Sequence, residues 1–440
     1  MFTKKPIIHN EVQILIDESE LESYYAESYF LYKSHLKYLI RKLNTFKLGL
    51  AQGKREKYFQ LLTDSYIRNI HNVNNIVSVL EPKVTLEAYE NLQINTTDNT
   101  QTTLKDFIYL RRDWCFKSEP EQQLKTTIDS LKIELSKIEF ETGNALFIGC
   151  GVGRIAFEFT DIYSKVYATD KSFSMIWHLQ KLLNGKTIDF YSPHEKNVKT
   201  LQNVAPRYSA KIPKDKLNNI LDKFEVFVSD VLDLPFKDNS LNSVFSIYFT
   251  DVIALKLWFN QINQKLKNKG LFVHFGPLDY FFSNEQEMYT AEEFKQFFEN
   301  NGYKTLIDKT IETTHLEDSN SISYKVYRNW FFVAQKNISS NSTTFEIFDE
   351  TILKLRTPVS YKREGILDDG EKELEATLNL PNGTFTGADA VIQILKLLDG
   401  KTPYIEVLSK LQSNGFDVND TKGIHDLLLD LLKQNVLKIC

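Results

Sequence analysis

The stretch that most constrains this chain is Asn144-Ala145-Leu146-Phe147-Ile148-Gly149-Cys150-Gly151-Val152-Gly153-Arg154. Four consecutive apolar residues, Ala145–Ile148, match a strand buried on both faces, the pattern of a parallel sheet. The Gly-x-Gly-x-Gly turn that follows permits positive φ and leaves no Cβ between the backbone and a ligand. Ile155–Phe159 reads as a helix, so free amides and a positive helix end point at whatever the turn binds.

A second strand, Lys165–Asp170, ends in a carboxylate about twenty residues further on. A nucleotide-binding fold places there the acid that accepts hydrogen bonds from ribose hydroxyls. The third glycine comes one residue earlier than in the dinucleotide fingerprint, and Arg154 follows it. That spacing fits S-adenosylmethionine (AdoMet) better than NAD.

The same alternation continues along the chain. Ser172–Leu183 reads as a helix, and Asn184–Asp222 as a polar, proline-bearing insertion, a lid or excursion. Phe224–Asp230 and Ser243–Phe249 are strands ending near Asp230 and Asp251. Ile253–Lys267 is a helix, and Leu271–Phe275 a strand broken by Gly276-Pro277. Ala291–Asn300 is a helix capped by Thr290 with Glu293 in capping-box position. Two further strands, Tyr303–Ile311 and Tyr324–Gln335, finish the unit. Alternating strands and helices predict an open α/β, Rossmann-like sheet, with ligands beyond the carboxyl ends of its strands. Asp170, Asp230, Asp251 and the Gly276 turn would then converge on one crevice.

Upstream, Leu21–Leu80 is helical in pattern, with Tyr25, Tyr29, Tyr32, Leu36, Leu39 and Leu43 on one face. A polar break at Thr96–Thr103 precedes Leu104–Trp114 and a long helix reaching about Ile138. Within it, Arg112-Asp113-Trp114 reads either as an ion pair with an anchoring indole or as the wall of a cofactor cleft. Asn337–Thr344 has the composition of a linker. Beyond it, short strands and three helices fit a small winged-helix-like domain. The expected units are a helical region over 1–103, a sheet domain over 104–336 and the small domain over 345–440.

A net charge of −5 and a pI near 6.0 argue against a general nucleic-acid binder. Three dispersed cysteines and eight histidines without ligand spacing suggest neither a disulfide framework nor a metal site. Met1–Gln13 lacks the apolar core of a signal peptide, and no apolar run has the length of a membrane span. The expectation is a cytoplasmic protein, with a homodimer left open.

Several motifs, taken in order, are similar to those of class I AdoMet-dependent methyltransferases, and among them the carnosine N-methyltransferase family. They are Arg112-Asp113-Trp114, Gly149-x-Gly151-x-Gly153-Arg154, Asp170-Lys171-Ser172-x-x-Met175, Tyr248-Phe249-Thr250-Asp251 and Gly276-Pro277-Leu278-x-Tyr280. The likeness covers roughly Leu104–Lys336. It implies AdoMet as cofactor, with Arg112, Trp114, Gly149, Gly151, Gly153 and Arg154 around the methionine end. Asp170 would take the ribose and Asp230 the adenine edge. Asp251 and Tyr327 would hold the imidazole of a dipeptide acceptor and serve the chemistry, with Tyr280 and Phe281 beside them. The family has histidine where this chain has Phe281, and Lys171 replaces a tryptophan.

Thr386–Leu395 and Leu398–Thr402, followed by a helix, resemble PqqD-type domains, which recognise leader segments of ribosomally made peptides. Together these features point to methyl transfer onto a peptide side chain, an imidazole nitrogen or a thiol. The rival reading is a non-catalytic peptide-binding scaffold with the same fold.

Overall fold

A computed structural model describes residues 1–95, 105–116, 118–217, 220, 222–337, 347–355, 359–368, 371–380, 383–414, 421–433 and 436–439. The threonine-rich break and the linker from residue 338 onward lie outside these residues. Two compact units result, one of residues 1–254 with 261–337, the other of 338–440 with 255–260.

The first unit is built on one large sheet. In chain order its strands are β1 (Ile7–His9), β2 (Val12–Ile14), β3 (Asn144–Ile148) and β4 (Lys165–Asp170). A separate hairpin, β5 (Ile188–Tyr191) and β6 (Arg207–Ala210), interrupts them before β7 (Phe224–Val228), β8 (Leu241–Ile247) and β9 (Leu266–Gly276). Last come β10 (Tyr303–His315) and β11 (Lys325–Lys336). The spatial order is β1-β2-β7-β4-β3-β8-β9-β11-β10. Pairing from β7 across to β9 is parallel, whereas β11 and β10 return antiparallel. The strand order therefore reverses direction between β3 and β8, which opens a crevice at their carboxyl ends.

The apolar runs seen in the sequence become its core. Phe147 of β3 and Phe245 of β8 are register partners whose rings stack 4.2 Å apart. The helix α1 (Leu21–Ala51) carries the expected stripe, all six of its residues buried, and packs against α2 (Glu56–Leu80). After α3 (Leu86–Asn95), the expected long helix is two, α4 (Asp106–Trp114) and α5 (Glu119–Leu135). Ser118 caps α5 by accepting the Glu121 N–H, and Pro120 in the first turn favours a start there. The helices α6 (Arg154–Glu158) and α7 (Phe173–Leu183) follow β3 and β4. The chain then adds α8 (Lys214–Leu217), α9 (Leu255–Lys265) and α10 (Ala291–Asn300). The Thr290–Glu293 capping box is present in both directions.

Two segments differ from the sequence reading. Residues 7–14 form a hairpin that extends the sheet, with Ile14 pairing in parallel to Val228. Its turn residues Asn10 and Glu11 both have positive φ, 49° and 69°. That is a two-residue hairpin turn made without glycine, so the sequence hardly advertises it. The insertion after α7, expected as a lid or excursion, is pinned on two sides. Asn69 of α2 donates to the Tyr191 carbonyl and accepts the Tyr191 N–H, and the Tyr58 and Tyr66 hydroxyls donate to Glu195. On its other side Lys199 and Ile322 exchange backbone hydrogen bonds with Asn320 and Asn197.

The second unit has its own core, including Leu353, Ile392, Val407, Leu411, Leu428 and Leu431. β12 (Ile352–Leu355) is central to a small sheet with β16 (Asp399–Pro403) and β17 (Leu437–Ile439). Between them run β13 (Ser360–Asp368), β14 (Glu371–Leu380) and β15 (Gly383–Ala388), an antiparallel meander longer than the expected short strands. The three expected helices are α11 (Asp389–Leu397), α12 (Tyr404–Ser413) and α13 (Thr421–Lys433).

Candidate active site

The glycine turn lies at the carboxyl end of β3, beside the reversal point. Gly149, Gly151 and Gly153 all have positive φ, 58°, 56° and 77°. They do different work. A Cβ on Gly149 would run into the Phe249 ring, and one on Gly153 into Leu179. At Gly151 no heavy atom lies within 4 Å of that position, so its backbone faces open space. Gly153 is thus a packing glycine, and Gly151 is the one that leaves room for a ligand.

Asp170, ending β4, reaches across to this turn. Its Oδ2 accepts the Gly151 N–H at 2.9 Å and its Oδ1 the Ser172 N–H at 2.8 Å. Burial, with Asp106 nearby, nevertheless raises its pKa above the usual carboxylate value. Each oxygen keeps a lone pair for a further donor.

α4 and α5 brace the turn from behind. The Trp114 indole, fully buried, donates to the Val152 carbonyl at 2.6 Å. Arg154 is 2% exposed and its donors are committed to protein groups. Nη1 donates to the Asp113 carbonyl at 2.7 Å, Nη2 lies 3.0 Å from Glu121, and Nε 2.8 Å from Glu158. The guanidinium also lies over the Trp114 and Phe116 rings. Trp114 and Arg154 therefore support the turn and are not placed to touch a ligand, because burial and existing partners take up their polar groups. Asp113 pairs through Oδ1 with Arg112 at 2.5 Å, while its Oδ2 is buried without a partner among the described residues.

At the end of β7, Asp230 Oδ2 lies 3.0 Å from Lys171, and Oδ1 accepts the Leu232 N–H. These residues line a pocket of about 140 Å³ with Ile16, Asp17, Tyr24 and Glu27, so the N-terminal region builds part of its wall. Lys171 supplies a cation where the resemblance expected an indole.

Beyond β8 the chain enters a strained turn. Tyr248 has φ of 56°, rare for an aromatic residue, and Gly276 packs directly on its backbone. Asp251 follows, 3% exposed, with Oδ2 accepting the Asp279 N–H at 3.2 Å and its carbonyl accepting the Phe281 N–H. Burial pushes its pKa up to about 6. Tyr280 donates its hydroxyl to the Tyr289 carbonyl, and Phe281 is 68% exposed.

Tyr327 joins a different group. Its ring meets His315 edge-on at 5.0 Å, with Tyr248 6.1 Å from the same imidazole. Arg112 lies over the Tyr109 ring at 4.9 Å. Burial raises the Tyr109 pKa, with Arg112 opposing the shift and Asp113, Asp170 and Tyr327 adding to it. Tyr109 and His315 escape the sequence reading, and Tyr248 enters it only within a motif, with no role of its own. Each looks like an ordinary helix or strand aromatic, and only the strand ends bring them together.

The residues present fit AdoMet. An open glycine cradle, a β4 acid with spare lone pairs and a buried acceptor at Asp113 Oδ2 suit a ribose and an amino-acid end bearing an ammonium. Among the described residues no cluster could hold a metal ion. Fold and site define an AdoMet-dependent methyltransferase.

Residues 87–338 match the Carnosine N-methyltransferase family, and the chain belongs to it. No curated protein matches the chain. Among solved structures, the PH0226 protein of Pyrococcus horikoshii is 15% identical, covering 53% of this chain and all of its own, at a TM-score of 0.34. A SAM-dependent methyltransferase of Aquifex aeolicus is 14% identical, covering 48% of this chain and 97% of its own, at 0.28. The family assignment rests on the sequence match and not on these likenesses. Among the described residues no helix is long and apolar enough to cross a membrane.

Proposed function

We propose that this methyltransferase modifies an imidazole nitrogen in a histidine-containing peptide. The observation that carries the reading is Asp251, a buried carboxylate at the crevice whose Oδ2 accepts the Asp279 N–H and whose pKa is raised to about 6. AdoMet, when bound, supplies an electrophilic methyl group on a sulfonium.

Asp251 accepts the N–H of one imidazole nitrogen, which fixes the tautomer and turns the lone pair of the other toward the methyl group. Ionised, it also stabilises the cation that forms as the new N–CH₃ bond is made. Methyl transfer to a neutral nitrogen needs little covalent help, so positioning supplies much of the rate. Gly149, Gly151, Arg112 and Asp113 line the methionine end, Asp170 the ribose and Asp230 the adenine edge. Tyr327 holds the acceptor ring from the opposite strand.

The second unit serves to grip a leader segment of a longer, ribosomally made peptide. Strand addition to the β13-β14-β15 meander, in which β14 is central, would supply backbone hydrogen bonds to such a segment. Its winged-helix, PqqD-like reading rests on the sequence pattern.

The test is calorimetric titration with AdoMet, followed by mass analysis of candidate peptides. AdoMet binding and a 14-dalton gain on histidine are the expected results. A gain on cysteine instead would replace the imidazole by a thiol. AdoMet binding with no modified peptide would favour the scaffold.

A further inference from the structure

His315 is a titratable side chain at the carboxyl edge that the chemistry above leaves unused. It ends β10, two residues beyond Thr313, the register partner of Tyr327. It therefore shares a sheet face with Tyr327, whose ring it meets at 5.0 Å. It is partly exposed, and among the described residues nothing hydrogen-bonds its ring nitrogens. A recess of about 20 Å³ between α5 and the end of β10 is lined by His315, Arg112 and Tyr248 together with Pro120, Gln123 and Thr127, room for about one small polar group.

Its surroundings fix its charge. Burial, with Arg112 from α4, Lys325 from β11 and Lys105 ahead of α4, lowers its pKa to about 4. A neutral imidazole offers one donor and one acceptor in a fixed ring geometry. Phe281, placed beside the acceptor by the resemblance, has no polar atom to offer and is exposed with Lys105 5.8 Å above its ring.

We propose that His315 is an acceptor-binding residue of this methyltransferase, hydrogen-bonding the methyl acceptor beside Tyr327. The assignment rests on the peptide acceptor proposed above. Neutral at working pH, the ring can hydrogen-bond a peptide amide or carboxylate next to the reacting side chain.

The experiment uses the full chain, as wild type, His315→Phe and His315→Gln, on a histidine peptide found in the mass-analysis panel. The expected result is a KM raised about tenfold or more in His315→Phe, with kcat and AdoMet Kd within about twofold of wild type. His315→Gln, which keeps a donor and an acceptor, should recover most of the loss. An unchanged KM in His315→Phe would overturn the assignment while the peptide reading stands. So would a loss of AdoMet affinity and thermal stability alongside KM that His315→Gln does not restore, since that marks a packing role. If wild type modifies no peptide, the acceptor reading falls first and this assignment with it.

Discussion

Asp170 Oδ2 accepts the N–H of Gly151 at 2.9 Å, a bond that joins the carboxyl end of β4 to the glycine turn after β3. The acid proposed above for the ribose thus also braces the glycine turn proposed for the rest of the cofactor.

Replacing Asp170 by Ala should therefore weaken AdoMet binding by about 1–3 kcal/mol, through lost hydrogen bonds to the ribose and a slackened Gly151. Asp170→Asn, which keeps one acceptor oxygen for Gly151, should lose less. Calorimetry on folded variants checks this. Equal affinity in wild type and Asp170→Ala would remove Asp170 from the cofactor site.

Arg154 answers to a different experiment. Arg154→Met takes from Glu121, almost fully buried, the cation 3.0 Å away, while Glu158 keeps Lys216 at 2.9 Å. Breaking such a pair costs about 3–5 kcal/mol. A denaturant midpoint close to wild type would mean that the arginine is not the brace its partners make it.

Asp251 gives two linked pH effects. Its pKa is raised from 3.8 to about 6, so the native state binds its proton more tightly than the unfolded chain. Its contribution to stability is fully present below pH 3.8 and lost as pH rises through about 6. At neutral pH the ionised, buried group is a cost. Asp251→Asn should stabilise the fold there by on the order of 1–3 kcal/mol while lowering turnover. Turnover in wild type should fall as pH drops through about 6, and in Asp251→Asn only the limb set by protonation of the acceptor imidazole itself, about 6.5, should remain. Thermal melts and pH–rate profiles separate the two effects. Wild-type turnover in Asp251→Asn would return the residue to a strand-end turn.

Deleting everything after Ser340 tests the second unit. If that unit grips a leader, tethering raises the local concentration of the modified residue. The deletion should then raise KM for a long peptide far more than for a short one without a leader. An equal rise for both, or aggregation of the truncated chain, would assign the unit to packing.

The sequence alone determined the parallel sheet, because Ala145–Ile148 and Lys165–Asp170 have the two-faced apolarity and punctuation that local pattern encodes. It also determined the glycine turn and the acids at the strand ends, since both depend on spacing along one strand–turn–helix unit. The capping box at Thr290 belongs to the same class: its partners lie three residues apart.

What only the tertiary structure decided depends on contacts between residues far apart in the chain. Arg154 looked like a ligand-binding cation. Its role turned on Glu121 and the Asp113 carbonyl, which α4 and α5 bring from more than thirty positions away. The edge hairpin at 7–14 has too little local propensity to announce itself, because its strands are three residues long and its turn has no glycine. His315 and Tyr327 meet only through the register of β10 on β11, which is fixed by pairing between the two strands.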